Sequence, residues 1–488
     1  MEHRLVTFSG LAAAIFASGC AATAPSESEG ILQFDVPGKF SSSADAMGGV
    51  DREWVHDFKD ARLNSLVKEV LANNFDLERA AARVQQAGAD ARIAGARMFP
   101  IVDVGTDGTR QQQAFIGFPT GGGEGGGSSL SNRFGLSTNI RWEVDLWGRI
   151  RTGQSAAIAQ VQASKAEFAG LQTSLAAQTA KVWFAMIEAE QQLELAQNSL
   201  KSLKDSEQTI RDRFRIAEQP GGQLRLVMSD VAQAEAQLSE REMMRKSAAR
   251  QLEVLLGKYP KGEMRADKNL PNMPKMAPVG VPSDVLHRRA DLIAAERRIA
   301  AADKRIKEAK LAILPQISLT GSAGSASEEL TNLLSAGTGV WSIGGSVAQT
   351  VFAGGEIAAN VGKRKSALRE ALAEYQSTAL TVFQEVENQL TADVYQARRL
   401  TALEKSETLL VDAYKESLND YKDGVGDVLT VLLAQRQMIQ TQGAVLTLRR
   451  LRLESRIDLH VALGGKFTKK TIPTPRESVW KKDDKKKS

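Results

Sequence analysis

The sequence predicts an α+β chain made by duplication, each copy holding two short strands and two very long helices. Three observations predict it. The stretch at 75–104 returns at 290–319, with Pro100 matching Pro315, and from Phe168/Tyr375 through Phe214/Tyr421 to Gly257/Gly464 the two copies stay in step. No proline occurs between Pro119 and Pro220, or between Pro315 and Pro473, while five crowd between Pro260 and Pro282. Helix interiors exclude proline, so the gaps mark long helices and the cluster marks a linker. Finally, short segments alternate apolar and polar residues with the period of a strand.

Taken in order, residues 1–19 read as a processing segment, with His3 and Arg4, a short apolar run and small residues ending at Cys20. That run is too short to span a membrane as a helix. Cys20 is the only cysteine, so no internal disulfide can form. The order expected after it is an extended segment at 20–53, a first repeat at 54–258, a Pro-rich linker at 259–282, a second repeat at 283–465 and a basic tail at 466–488. The net charge is +5, and the tail alone holds nine Lys/Arg against three Asp/Glu, so the rest sums to −1. A nucleic-acid protein needs that charge on a folded groove with interleaved aromatics, whereas the end "KKDDKKKS" reads as a solvated tail.

The strand at 134–146 places Leu136, Ile140, Trp142 and Val144 on one face and Asn139, Arg141, Glu143 and Asp145 on the other. An antiparallel sheet over a soluble core shows the same pattern. Its partners favour a different reading. Val102 and Val104 oppose Asp103 and Gly105, Ile317 and Leu319 oppose Ser318 and Thr320, and Ile343 and Val347 oppose Ser342, Gly344 and Ser346. One apolar face and one small or polar face suit a barrel wall between lipid and water. Four strands cannot close a barrel, and open edges in lipid leave unpaired backbone groups, so several chains must share one barrel.

The helices follow a seam of threes and fours, as at Phe168, Leu171, Leu175, Thr179, Val182 and Met186, and again at Leu372, Tyr375, Ala379, Val382 and Val386. A helix over 151–213 would run ~95 Å. The turns between long helices fall at about 214–224 and 421–429, at one end by the logic of the duplication.

The segments "VPSDVLHRRADLIAAERRIAAADKRIKEAKLAILPQISL", "FAGGEIAANV" and "YKDGVGDVLTVLLAQRQ" closely resemble the lipoprotein branch of the TolC-like outer-membrane efflux family. The resemblance covers about 54–467. It implies a homotrimer whose 12-stranded outer-membrane β-barrel, four strands per chain, continues into a periplasmic α-helical barrel. It also implies a periplasmic adaptor, an inner-membrane pump of the RND type, outer-membrane lipid around the barrel and export of drugs or other toxic small molecules. "ASGC" resembles a lipobox with Cys20 as the acylated residue, the alternative being an ordinary secretory signal. By the same resemblance Gly424 matches a tip glycine, and Val425, Asp427 and Leu429 stand where an adaptor docks, with Phe214, Gly221 and Gly222 at the matching turn. The bland reading of Gly424 is a helix end alone. Three departures concern Ala290 in place of proline, Ala217 with the "PGG" at 220–222, and Leu433 where relatives carry an acid.

Catalysis finds no support. His3, His56, His287 and His460 are scattered, no G-x-x-x-x-G-K-[ST] loop exists, and Glu385 and Glu387 lie on different helix faces. No cofactor or metal is implied. Against the export duct stands one alternative, a non-conducting coiled-coil tether anchored by lipid.

Overall fold

In the computed structural model, which describes residues 32–41, 54–115, 127–216, 221–266, 269–276 and 279–465, the duplication reaches the length of every long helix. α1 (Ala61–Asn73) leads into α2 (Phe75–Ala96), and α5 (Pro282–Arg288) leads into α6 (Ala290–Leu311), α2 and α6 having 22 residues each. α3 (Arg149–Arg215) and α7 (Glu356–Lys422) have 67 each, and α4 (Gly221–Leu255) and α8 (Val428–Ala462) have 35 each. Starts at 149 and 356 and ends at 255 and 462 fix the shift at 207. At 1.5 Å per residue α3 and α7 are each about 100 Å long.

Glycine ends the helices in the same way in both copies. Gly257 and Gly464 have φ of 70° and 77°. Gly257 N–H donates to the Val254 carbonyl (2.9 Å) and Lys258 N–H to that of Glu253 (2.8 Å); Gly464 and Gly465 repeat this on Val461 (3.0 Å) and His460 (2.9 Å). The left-handed residue lets the chain satisfy the last carbonyls without a Cβ clash.

Four strands, β1 (Ile101–Phe115), β2 (Gly127–Val144), β3 (Gln316–Ser327) and β4 (Gly339–Ala348), form one antiparallel sheet in the order β1-β2-β3-β4. The expected strand at 134–146 therefore begins earlier and stops at Val144; Leu146 lies in the following turn, and Gly127 to Ser129 of the glycine-rich stretch belong to β2. The signal segment, Cys20, most of 20–53 and the tail at 466–488 lie outside the described residues.

The chain divides into two compact units. One comprises the sheet with Gln86–Gln162 and Glu296–Ala373. Small residues let its helices approach closely: a Cβ on Gly153 would lie 2.6 Å from Glu308 Oε1, and Ala156, Ala157, Ala301 and Ala309 are buried. The other, from Leu32–Gln85, Ala163–Ala295 and the chain from Glu374 onward, has the larger core. There Trp54, Phe58, Leu63, Trp183, Phe184, Met186 and Ile187 are buried together with the ends of α4 and α8. Asp60 links the pieces, accepting from the Leu63 N–H at 2.8 Å as the cap of α1 and from the Trp183 indole at 2.7 Å. Among the described residues no helix is long and apolar enough to cross a membrane.

Candidate functional site: a two-faced sheet and a helical tip

Residues opposite one another in an antiparallel pair share a face, so the register decides whether the four alternating strands agree. They do. Val102 pairs with Ile140 and Ile140 with Gly321; Trp142 pairs with Leu319 and Leu319 with Gly345; Val144 pairs with Ile317 and Ile317 with Val347; Gly321 pairs with Ile343. These form one apolar face. The other carries Asp103 opposite Asn139, Asn139 opposite Ser322, Ser322 opposite Ser342, and Glu143 opposite Ser318. Arg141 reaches Asp103 at 2.6 Å, and the Ser322 and Ser342 hydroxyls meet at 2.8 Å.

Among the described residues nothing covers the apolar face: Trp341, Ile343 and Val347 stand exposed, as do Val102 and Val104. Both edges are open too, since β1 pairs only with β2 and β4 only with β3 among the described residues. Seven pairs of the β1–β2 ribbon, from Thr109 with Arg133 to Phe115 with Gly127, lie beyond the last pairing of β2 with β3 at Phe134 and Ser327. Serine, asparagine, glutamine and arginine dominate that extension, so the apolar face stops near Phe134.

Two expected residues do something else. Asp145 is not in the strand; its carboxylate accepts from the Ile150 and Arg151 N–H groups, both at 2.9 Å, and so caps α3. The strict alternation, read to Leu146, runs two residues past the ladder. Glu143 pairs with Arg149 at 2.5 Å, fastening the end of β2 to the start of the same helix. Two tryptophans close this junction, Trp142 donating to the Met98 carbonyl at 2.9 Å and Trp147 to that of Pro315 at 2.7 Å.

At the tip, Phe214 belongs to the last turn of α3 and Gly221 and Gly222 to the first turn of α4, so the first-copy turn is shorter than 214–224. Residues 217–220, including Ala217 and Pro220, are outside the described set. Phe214 lies over Gly221, where a Cβ would meet its ring at 3.4 Å. In the second copy Gly424 has φ 81°, with Gly424 N–H donating to the Tyr421 carbonyl (3.2 Å) and Val425 N–H to that of Asp420 (3.0 Å), a third use of the same glycine ending. Asp427 precedes α8 as its cap residue without a side-chain cap bond. Val425 is 82% exposed and Leu429 and Leu433 are exposed beside it, whereas Val428, Val431 and Leu432 are buried.

Both turns converge on one small core of Ile210, Val227, Tyr421, Val428, Val431 and Leu432. Arg213, absent from the sequence reading, ties the turns together: its guanidinium sits 4.4 Å from the Tyr421 ring centroid and donates to the Lys422 carbonyl at 2.9 Å. A basic residue in the last turn of a helix is the one signal the sequence carries for it, and that signal points to its own helix rather than to α7.

The comparisons with known proteins agree among themselves. A family model described as "Outer membrane efflux protein" matches residues 66–258 and 281–465. The solvent efflux pump outer membrane protein SrpC of Pseudomonas putida is 31% identical over 417 residues, covering 84% of this chain and 86% of that protein. The open state of the Neisseria gonorrhoeae MtrE outer membrane channel superposes with a TM-score of 0.76 at 28% identity, over 89% of this chain and 96% of that one. The Campylobacter jejuni CmeC outer membrane channel, at 24% identity and a TM-score of 0.83 over 90% and 94%, shows the same fold.

Proposed function

Because this chain belongs to the outer membrane efflux protein family, and is thus an outer-membrane channel assembled as a trimer that works with an adaptor and an inner-membrane pump, we propose a specific division of labour among its residues. The apolar face, with Leu136, Ile140, Trp142 and Val144, meets lipid, and the face with Asn139, Arg141 and Glu143 lines the water-filled lumen. The observation that carries this is the register: four strands from two copies put most of the large apolar side chains on one side of a sheet whose edges are open among the described residues, with Ile101 and Val340, near strand ends, on the other. From Val144 to Phe134 the apolar face spans ten residues of rise, about 33 Å along the strand. Tilted by ~40°, that gives about 25 Å, the height of an outer-membrane apolar band. Three such sheets remove every open edge.

The turn at Gly424 is the periplasmic entrance, with exposed Val425 and Leu429 contacting the adaptor, and Phe214, Gly221 and Gly222 framing the matching turn. Cys20 is the acylated first residue of the mature protein. The pump is of the RND type, and the cargo is drugs or other toxic small compounds, solvents being the class named for the relative SrpC.

The duct is tested by single-channel recording of the purified trimer with its adaptor: stepwise ohmic conductance is expected, and a silent bilayer with adaptor bound would favour a tether instead. Val425→Arg adds bulk and charge without touching the turn glycine. It should abolish adaptor crosslinking and export while heat-resistant trimer persists; normal crosslinking and export would remove the docking assignment.

A further inference from the structure

The helical unit contains a cavity of ≈ 490 Å³ bounded by α3, α4, α7 and α8. Small residues leave the space: Ala196 on α3, Ala234 on α4, and Gly443 and Ala444 on α8 all line it. Gly443 stands in a helix interior, where glycine is unfavourable, and its carbonyl accepts from Gln192 Nε2 at 2.9 Å. That contact holds α8 against α3 on one side of the opening.

The charge of the lining is one-sided. Arg241, Arg399 and Arg436 reach the cavity from three different helices, and Asp230 is the only carboxylate along its wall. Asp230 is buried and already bonded to Arg436 at 3.0 Å. Arg399 has no ion pair among the described residues, and the polar contact of Arg241 is the thioether of Met244 at 3.7 Å. Two guanidinium groups therefore face a concavity without a counter-charge, where low-dielectric walls concentrate their potential. The rest of the wall divides between amides, from Gln192, Gln233, Gln237 and Gln440, and apolar side chains such as Leu195 and Ile439. The size falls within that of small-molecule sites.

We propose that this cavity binds an amphiphilic organic anion, a compact apolar body carrying two acidic groups. Arg241 and Arg399 take the acids through charge-assisted hydrogen bonds, while the leucine and isoleucine side chains cover the body. The site is separate from the tip residues and the strands on which the duct reading rests, so the two stand or fall independently.

Isothermal titration of the intact trimer in amphipol with naphthalenedisulfonate tests it, since this rigid dianion does not partition into apolar assemblies. Saturable binding with one site per chain is expected, weakening as salt rises. The Arg241→Gln/Arg399→Gln pair should weaken it by about tenfold or more, whereas the Arg241→Lys/Arg399→Lys pair, which keeps charge, should lose less. Ala234→Phe should abolish it by filling the space, with heat-resistant trimer as the check that the variant folds; if that variant does not assemble, the two double variants decide. The proposal is overturned by absence of saturable binding, by equal binding of neutral naphthalenedimethanol, or by unchanged affinity in the glutamine pair.

Discussion

At position 253 the first copy carries a buried glutamate whose carboxylate accepts the N–H groups of Gly262 at 2.7 Å, Glu263 at 3.1 Å and Met264 at 3.3 Å. At the matching position, 207 residues on, the second copy carries His460, 1% exposed, stacked on Trp54 at 5.8 Å, with neither ring nitrogen bonded to any described residue. The helices around these two positions have equal lengths and the same glycine endings. What differs is the task of the chain that follows. In the first copy it folds back over α4 toward the second repeat, and a carboxylate gathers its backbone; in the second the same site is used for packing. The starts of the long helices diverge likewise: Asp145 caps α3, while its counterpart before α7 is the exposed Phe352. Duplication has kept the elements whose lengths must match and released their ends to specialise.

The strands offer the strongest challenge to that equivalence. Ile140 and Val347 are matching positions on the apolar face, and Asn139 and Ser346 are matching positions on the polar one. Arg at Ile140, Trp142 or Val347 should each cost about 2–4 kcal/mol per chain, read as loss of heat-resistant trimer in lipid. Asn139→Arg and Ser346→Arg should cost less than about 1 kcal/mol. Similar losses on both faces would mean that the sheet packs on protein, and a large loss in one copy only would mean that the copies sit in different surroundings.

Next in size is the carboxylate anchor. Glu253→Leu strands three backbone donors and should destabilise by about 2–3 kcal/mol in thermal unfolding, with Glu253→Gln in between. His460→Leu removes no hydrogen bond to a described residue and should cost less. The reverse ranking would show that the stacked histidine, not the glutamate, holds its helix end.

Acid should separate the two copies by pH window. Burial would raise the Glu253 carboxyl, but the N–H groups of Gly262, Met264 and Glu263 outweigh it and hold it below the ordinary value of 4.5. Its stabilisation is present above that value and lost as pH falls through the lowered one. Burial, with Arg456 nearby, lowers His460 from 6.5 to about 4. The native state favours the neutral ring, so this contribution is full above 6.5 and declines between 6.5 and about 4, by up to about 1.4 kcal/mol per pH unit. His460→Phe keeps a ring against Trp54 and should flatten only that upper window. An unchanged pH profile in this variant would place the acid sensitivity elsewhere.

Smaller than the carboxylate effect are those of the glycine endings. Gly424→Ala meets open space and should cost only the left-handed backbone, about 1 kcal/mol. In Gly257→Ala the new Cβ would lie 2.9 Å from the Asn73 carbonyl oxygen, and in Gly464→Ala 2.8 Å from Arg288 Cβ, so both should exceed it in chemical denaturation and resemble each other.

Much of this architecture was legible because it rests on periodicity and on proline. The helix expected at 151–213 occupies Arg149–Arg215, and the two faces of the strand around Ile140 are continuous through all four strands. The coiled-coil seam was incomplete: Trp183, Phe184 and Ile187 are buried as well, because this part of α3 is surrounded by α1, α4 and α8 and not by one partner. The polar ribbon of β1 and β2 was missed since serine, glutamine and glycine carry no alternation to read. A contact across the duplication, such as Arg213 on Tyr421, has no local signature, and neither does the carboxylate of Glu253 gathering the linker that follows it; as one of four scattered histidines, His460 carries no mark of its burial in the sequence.

The equal helix lengths constrain how such a chain can evolve. One residue added to α3 alone would turn everything beyond it by about 100° and advance it by about 1.5 Å relative to α7. The outgoing and returning helices would fall out of step as well, taking Val227 and Tyr421 away from the core they share at the tip. The span is thus written twice in one gene, in α3 with α4 and again in α7 with α8, and a lineage facing a deeper compartment must lengthen these helices together, in near-heptad increments that restore each seam.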